Sequence, residues 1–211
     1  NKLFSFLILS ILIVVILSFI LDKYQPLFLL GVICSLYLII STLFEFFYKK
    51  NLKLIFLNSS RFCAHLGFGI LIFSITFHYF LSKEISTNIK LGETIKFNEF
   101  SIYFSDTKKE KKDNYQELQG KFKIKNKESN FELNPSIRKY SQPSQFTSET
   151  SIINNGLHDY YMAMDYSSQK EESIGIRFYY NYFIRGIWFS FLLIIIGGFL
   201  GFIKRHHEKK K

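Results

Sequence analysis

The sequence predicts an α-helical membrane protein with four transmembrane helices and an outward-facing all-β domain between helices three and four. Two observations support this fold class. Long apolar stretches lie on both sides of a polar segment, 83–183, whose apolar and polar side chains alternate. The net charge of +10 also lies almost entirely outside that segment. This segregation excludes a single soluble domain, and a content of 48% hydrophobic residues excludes a disordered chain.

Four stretches are long enough to cross a bilayer, which takes about 20 apolar residues. They cover about 3–21, 26–48, 62–81 and 184–203. The first is too long for a signal peptide, and no small-residue cleavage site follows it before Asp22. The short polar turn that begins at Asp22 predicts an antiparallel hairpin of the first two spans. The predicted organisation is therefore three helices in 1–82, a β-rich domain in 83–183, and a helix with a basic tail in 184–211.

Positive charge predicts the orientation of these spans. Segment 83–183 carries 15 Lys and Arg against 14 Asp and Glu, so nine of the ten net positive charges lie outside it. They cluster after spans two and four, at Lys49, Lys50, Lys53, Arg61, Lys204, Arg205 and Lys209 to Lys211. The positive-inside rule places both clusters and both termini on the cytoplasmic or matrix side, and segment 83–183 outward. Charge in this placement argues against nucleic-acid binding.

The polar segment has the period-two pattern of β-strands. Apolar residues alternate with polar ones at Phe100, Ile102 and Phe104, and again at Phe122 and Ile124. Turn-forming residues separate the runs at Gly92, in the charged run 108–114, in 126–130 and in 154–156. We expect a small sandwich or partial barrel with Lys108 to Asp113 as a solvated hairpin tip. An aromatic belt at the outer interface is expected from Tyr79, Tyr179, Tyr180, Tyr182 and Trp188.

Ionisable residues inside a span are the first candidates for chemistry, because hydrocarbon disfavours them. His65 lies about one helical turn into the third span, in Ala64-His65-Leu66-Gly67, and Gly69 follows four residues later on the same helix face. Small residues around an imidazole let another helix, or a flat macrocycle, come close. Neutral imidazole is a strong ligand for haem iron. From the residues alone, a membrane histidine near an interface is more often a hydrogen-bonded structural residue, and haem ligation is the alternative.

The remaining polar residues of the spans have simpler interpretations. Glu45 is expected to snorkel or to pair two helices. His78 lies about 20 Å along the helix from His65, so the two cannot share one metal. His158 follows a turn and is expected at the surface, and Cys34 and Cys63 are expected to be small buried apolar residues. No hydrolase, zinc-protease or nucleotide-binding motif occurs, which argues against a self-contained enzyme.

Several short segments in 61–205 follow one another in a recognisable order and spacing. The first is Ala64-His65-Leu66-Gly67 at the opening of the third span. The segments that follow are Arg138-Lys139-Tyr140, Ser148-Glu149-Thr150-Ser151-Ile152, Asp159-Tyr160-Tyr161, Arg177-Phe178-Tyr179-Tyr180 and Phe183-Ile184-Arg185-Gly186-Ile187-Trp188. Together they resemble the C-terminal part of CcmF, the large membrane subunit of the system I cytochrome c haem lyase, in which a helix opens with a segment similar to the first. The usual Pro-containing dipeptide is replaced here by Asn181-Tyr182. The tryptophan-rich outward haem-handling segment and the outward His pair of the family do not occur in this chain.

The resemblance implies a role in cytochrome c maturation. His65 matches the family's intramembrane histidine, one axial ligand of a haem b whose second axial ligand would come from outside this chain. That haem is thought to reduce the haem being attached to apocytochrome c. The implied partners are membrane lipid, the rest of the CcmF-type protein, other haem lyase subunits, a haem chaperone and apocytochrome c.

Two other functions compete with this haem-binding interpretation. One is a membrane-anchored scaffold or assembly module with an outward β-domain and no cofactor. The other is a transporter fragment, which uninterrupted spans disfavour. Because residue 1 is Asn, we expect a truncated or processed chain or a separately encoded C-terminal half. The expected location is a bacterial inner membrane or a mitochondrial inner membrane.

Overall fold

The computed structural model describes residues 2–48, 52–126, 129–165 and 173–208, with side chains except at 2–3, 52–58 and 207–208. The predicted charges at Lys49, Lys50, Lys53 and Lys209 to Lys211 lie outside the described residues or side chains. The described residues form four α-helices: α1 (Lys2–Leu21), α2 (Pro26–Tyr48), α3 (Leu52–Leu81) and α4 (Ile184–Glu208). All four are long and apolar enough to cross a membrane, which confirms the four predicted helices.

The helices and the β-strands form two compact units. One contains 1–81 and 182–211, and the other contains 82–181. In the helical unit, the ring centroids of Phe6 in α1 and Phe44 in α2 lie 4.9 Å apart. One end of α1 therefore meets the opposite end of α2, as an antiparallel hairpin requires. Phe28, Val32, Phe77 and Val14 form a buried cluster among α1, α2 and α3.

Helix α3 begins ten residues before the predicted start of its span. The sequence predicted the third span only from about residue 62, yet no Gly or Pro interrupts 52–61 and the helix includes these residues. Two of these polar side chains bond to neighbouring helices. The Ser60 hydroxyl donates to the Gly197 carbonyl of α4 at 2.7 Å, and the Arg61 guanidinium donates to Glu45 of α2 at 2.9 Å. Polar side chains that the sequence placed before the third span are thus hydrogen-bonded to neighbouring helices.

Close approach of α3 and α4 depends on small residues. A Cβ atom built on Gly197 would lie 2.7 Å from the Ala64 nitrogen and 2.9 Å from the Ser60 carbonyl oxygen. No real side chain fits at those distances, so only glycine permits this contact. Backbones that approach this closely gain dispersion energy, which drives helix association where no hydrophobic effect operates between helices.

The β-unit contains two antiparallel sheets. The four-stranded sheet has the order β1-β10-β9-β8, and the six-stranded sheet has the order β2-β3-β4-β6-β7 with β5 paired to β4. The strands are β1 (Lys83–Lys90), β2 (Thr94–Phe97), β3 (Phe100–Lys111), β4 (Tyr115–Lys125), β5 (Asn130–Leu133), β6 (Ser136–Tyr140), β7 (Gln145–Glu149), β8 (Ser151–Asn155), β9 (His158–Asp165) and β10 (Ser173–Tyr182). The two sheets form a β-sandwich, so the predicted all-β domain is confirmed.

The sandwich core follows the period-two pattern of the sequence. Phe100, Phe104, Phe122 and Phe178 are fully buried, and the ring of Phe100 packs 5.5 Å from that of Phe178 across the two sheets. Burial of each such ring contributes about 1.5–3 kcal/mol, so alternate apolar positions supply the main stabilisation. The turn after β8 lies at 156–157, where Gly156 adopts a positive φ of 61°.

Two predictions about this unit are wrong in detail. The run Lys108 to Asp113 is not all hairpin tip, because β3 continues to Lys111 and the turn covers 112–114. Pairing with β4 and the ion pair of Lys108 with Glu110 at 2.6 Å stabilise a strand of charged residues. Tyr180 does not belong to an interfacial belt. It is 6% exposed and stacks 5.2 Å from Tyr160 inside the sandwich.

Adjacent glycines of α4 provide a test of the α3–α4 contact. Gly197→Ala forces a methyl group against the α3 backbone and is expected to cost about 1–3 kcal/mol. Gly198→Ala enters open space and is expected to gain about 0.5–1 kcal/mol of helix stability. Thermal unfolding of the intact chain in neutral detergent micelles, followed by circular dichroism, measures both. Equal midpoints for the two variants would contradict the packing described.

Candidate functional site

The candidate site is the face of α3 that neither α2 nor α4 covers. His65 is exposed on this face. Phe68, Ile75 and Tyr79 are 53%, 49% and 74% exposed, and at 100° per residue they lie within one stripe with His65. His65 makes no hydrogen bond within the part of the chain that the structure describes. Its imidazole therefore faces the surroundings of the helical unit.

The glycines near His65 accommodate helices of this chain. A Cβ atom on Gly67 would lie 2.9 Å from the Ser190 carbonyl oxygen of α4, and one on Gly69 would lie 2.8 Å from Ile39 Cγ1 of α2. The sequence left open whether a helix or a macrocycle occupies the space beside these glycines. Two helices occupy it, and they fix the rotation of α3 about its axis. His65 is thereby held on the remaining face.

An ion pair lies one helical turn before His65. Arg61 and Glu45 are joined at 2.9 Å, with side chains 52% and 49% exposed. The sequence predicted Arg61 as one of the charges that orient the spans, and predicted that Glu45 snorkels or pairs two helices. Opposite charges near neighbouring ends of consecutive spans were the signal for this pair. The bond links α2 to α3 beside the candidate site, and His65 lies one helical turn deeper in the span.

The other sequence candidates lie elsewhere. His78 Nδ1 donates to the Tyr182 carbonyl at 3.1 Å, which gives this ring a structural role in the helical unit. His158 is half-buried against the rings of Tyr160 and Tyr180, so the expected surface position is wrong. Cys34 is exposed and Cys63 is half-buried, so neither is the fully buried residue expected.

The chemistry available at this face is that of a single imidazole. The described residues contain no group of three or more His, Cys, Asp or Glu side chains that could hold a metal ion. An uncharged imidazole on an open helix face has one nitrogen lone pair to offer to a metal. A complete coordination sphere would need at least one ligand from outside this chain.

The helices and the sandwich together define a class of protein. The chain is a multi-pass membrane protein with a β-sandwich domain inserted in the sequence between its third and fourth membrane helices. Residues 80–182 match the family described as the CcmF C-terminal beta-sandwich. The predicted resemblance to the C-terminal part of CcmF-family proteins is thereby confirmed.

Curated relatives agree with this assignment. The chain is 28% identical over 148 residues to the cytochrome c-type biogenesis protein CcmF of Haemophilus influenzae, across 69% of this chain and 22% of that protein. It is 24% identical over 148 residues to CcmF of Escherichia coli, across 70% of this chain and 23% of that protein. The chain thus spans about a fifth of the length of these relatives.

A solved structure shares the fold. The structure titled cytochrome c heme lyase CcmF superposes with a TM-score of 0.73, covering 94% of this chain and 33% of that chain. The identity is 14%, so the likeness concerns the fold.

The two membrane histidines differ in their contribution to stability. His65→Leu is expected to change the free energy of unfolding by less than about 0.5 kcal/mol, because the ring is exposed and forms no hydrogen bond with the described residues. His78→Leu loses the bond to Tyr182 and is expected to cost about 0.5–1.5 kcal/mol. Thermal unfolding of both variants in micelles makes the comparison. A larger loss for His65→Leu than for His78→Leu would contradict the placement of His65.

Proposed function

We propose that this chain is the C-terminal segment of a cytochrome c haem lyase subunit. It acts in cytochrome c maturation, where it helps to hold a haem b in the membrane and assists reduction and attachment of haem to apocytochrome c. His65 is one axial ligand of that haem. The second axial ligand comes from a helix outside this chain. The names of the curated relatives and their family support the biological process.

The observation that carries the proposal is the exposure of His65 on the uncovered stripe of α3. A lipid-facing imidazole is costly in hydrocarbon unless a polar or metal partner satisfies it. The rest of a CcmF-type protein offers helices that can cover the stripe, since this chain spans only 33% of the solved chain. The exposed ring of Phe68 beside His65 adds apolar surface of the kind that flanks a porphyrin. The residues present therefore fit one half of a haem site.

The chain's own residues position the ligand. Gly67 and Gly69 let α4 and α2 pack closely against two sides of α3. This packing fixes the rotation of α3 and therefore the direction of the His65 side chain. The ion pair of Arg61 with Glu45 restrains the same turn from the α2 side. Iron bound by two neutral imidazoles is low-spin and suited to electron transfer. His65 contributes a fixed nitrogen donor to such a centre.

We also propose the partners and the location of this chain. The helices contact membrane lipid, and the rest of the CcmF-type protein and other haem lyase subunits complete the assembly. The β-sandwich faces outward as a docking surface for partners, among them a haem chaperone and apocytochrome c. Both termini lie inside, in a bacterial inner membrane or a mitochondrial inner membrane.

Absorption spectroscopy tests the ligand. When the chain is co-purified with the rest of its lyase, a low-spin Soret band is expected, and His65→Gly is expected to remove it. Added imidazole should restore the band in His65→Gly, because the small ligand replaces the lost side chain. The complex is purified under identical conditions for each variant, and haem is quantified per mole of protein.

His206→Ala is the matched control, since this histidine is exposed on the tail of α4 and is not proposed to bind haem. It should keep the full Soret band. An unchanged haem content in His65→Gly would overturn the assignment. Absence of haem from every preparation, wild type included, would favour the scaffold or assembly module instead.

A further inference from the structure

We propose that the β-sandwich binds an acidic protein segment with apolar side chains in a cleft at the distal half of the β3–β4 hairpin. The cleft has a volume of about 360 Å³. It is called the lysine cleft here. Lys109, Lys111 and Lys139 surround a floor of Leu118, Ile137 and Phe146, and Glu110, Gln116 and Glu117 complete the lining. The inference rests on the docking role proposed above and specifies its site and the chemistry of the partner.

Strand register brings the three lysines and the three floor residues to one face of the sheet. Lys109 pairs with Leu118, which pairs with Ile137, and Lys139 pairs with Phe146. Paired residues of antiparallel strands point to the same side. In β4, that side continues from the buried positions Phe122 and Ile124, so the cleft is an extension of the core face. In the cleft, this face of the sheet is accessible to a binding partner.

Alternation along the strands segregates the charges. Glu110 and Glu117 line the cleft, but they pair with each other in register at strand positions of the opposite face. Lys108 and Lys112 bind Glu110 at 2.6 and 3.3 Å, and Arg138 binds Glu117 at 3.0 Å. Hydrogen bonds from Lys108, and then from Lys112, hold the pKa of Glu110 below its ordinary value. Both nearby carboxylates thus already have cationic partners on the other face.

The cleft face keeps its positive charge as a result. Lys109, Lys111 and Lys139 are exposed and form no ion pair in the described ranges 2–48, 52–126, 129–165 and 173–208. Lys139 Nζ lies 5.5 Å from the Phe146 ring centroid, a cation–π contact that leaves its ammonium charge in place.

The floor of the cleft adds an apolar requirement. Ile137 is 4% exposed, whereas Phe146 is 40% exposed at its edge. Lysines that surround a partly open apolar floor complement carboxylates placed beside apolar side chains. An extended segment alternating Asp or Glu with Leu or Phe matches both features. A highly charged segment without apolar residues would leave the floor unfilled.

Peptide binding to the full chain in neutral detergent micelles tests the inference. The probe is a fluorescein-labelled peptide of about eight residues that alternates glutamate with leucine, long enough to cross the cleft as a strand. Fluorescence anisotropy should show binding that weakens as salt is raised. The triple variant K109E/K111E/K139E should bind about tenfold or more weakly. A peptide alternating glutamate with serine should also bind more weakly than the glutamate–leucine peptide.

The triple variant K90E/K96E/K123E is the matched control, because these lysines are exposed on the same unit outside the cleft. It should bind like the wild type. Circular dichroism checks the fold of each variant, and K109Q/K111Q/K139Q replaces the reversal if that variant unfolds.

Three results would overturn the inference. They are no binding of the glutamate–leucine peptide to the wild type, equal binding by the cleft variant, and equal binding of the glutamate–serine peptide. Displacement of the peptide by millimolar glycerol 1-phosphate would assign the cleft to a phosphate headgroup instead. Haem content is not measured in this experiment, so failure here is distinguishable from failure of the haem proposal.

Discussion

The helical unit depends on the close packing of α3 between α2 and α4. Glycines at 67, 69 and 197 remove the side-chain volume that would keep the helices apart. A helix has only a limited circumference, so covering two of its sides determines what the remaining side presents. The remaining side of α3 carries His65 with a stripe of apolar and aromatic residues. Packing that looks purely structural therefore decides where the imidazole points.

The class of fold was predictable because its causes are local. About 20 consecutive apolar residues leave a chain few alternatives to a membrane helix, and alternation with period two leaves few alternatives to a strand. The start of α3 was not predictable in this way, since its polar residues form bonds to Glu45 and Gly197, which are distant in sequence. The extension of β3 through a charged run likewise depends on pairing with β4.

The candidate site was predictable in part for a related reason. An ionisable residue is rare in hydrocarbon, so His65 stood out from the sequence. Which helix face would stay uncovered depends on contacts with residues such as Ile39 and Ser190, more than 25 positions away in the chain. Tyr180 shows the same limit of sequence-based prediction in the sandwich. Its residue type and position predicted a place at the membrane interface, but its ring stacks on Tyr160 inside the sandwich. Residue type indicated the chemistry, and long-range packing decided its location.

The first and last strands of the sandwich are hydrogen-bonded neighbours, with Lys83 opposite Tyr180. In the helical unit, the ring of Phe183 at the start of α4 likewise packs 5.3 Å from Phe77 near the end of α3. The chain passes between the two units twice. Within each unit, the residues next to these two connections contact each other. A domain whose two ends lie close together can be inserted into another fold with little change to that fold. A change in the length of a loop within the sandwich therefore need not disturb the packing of the helices.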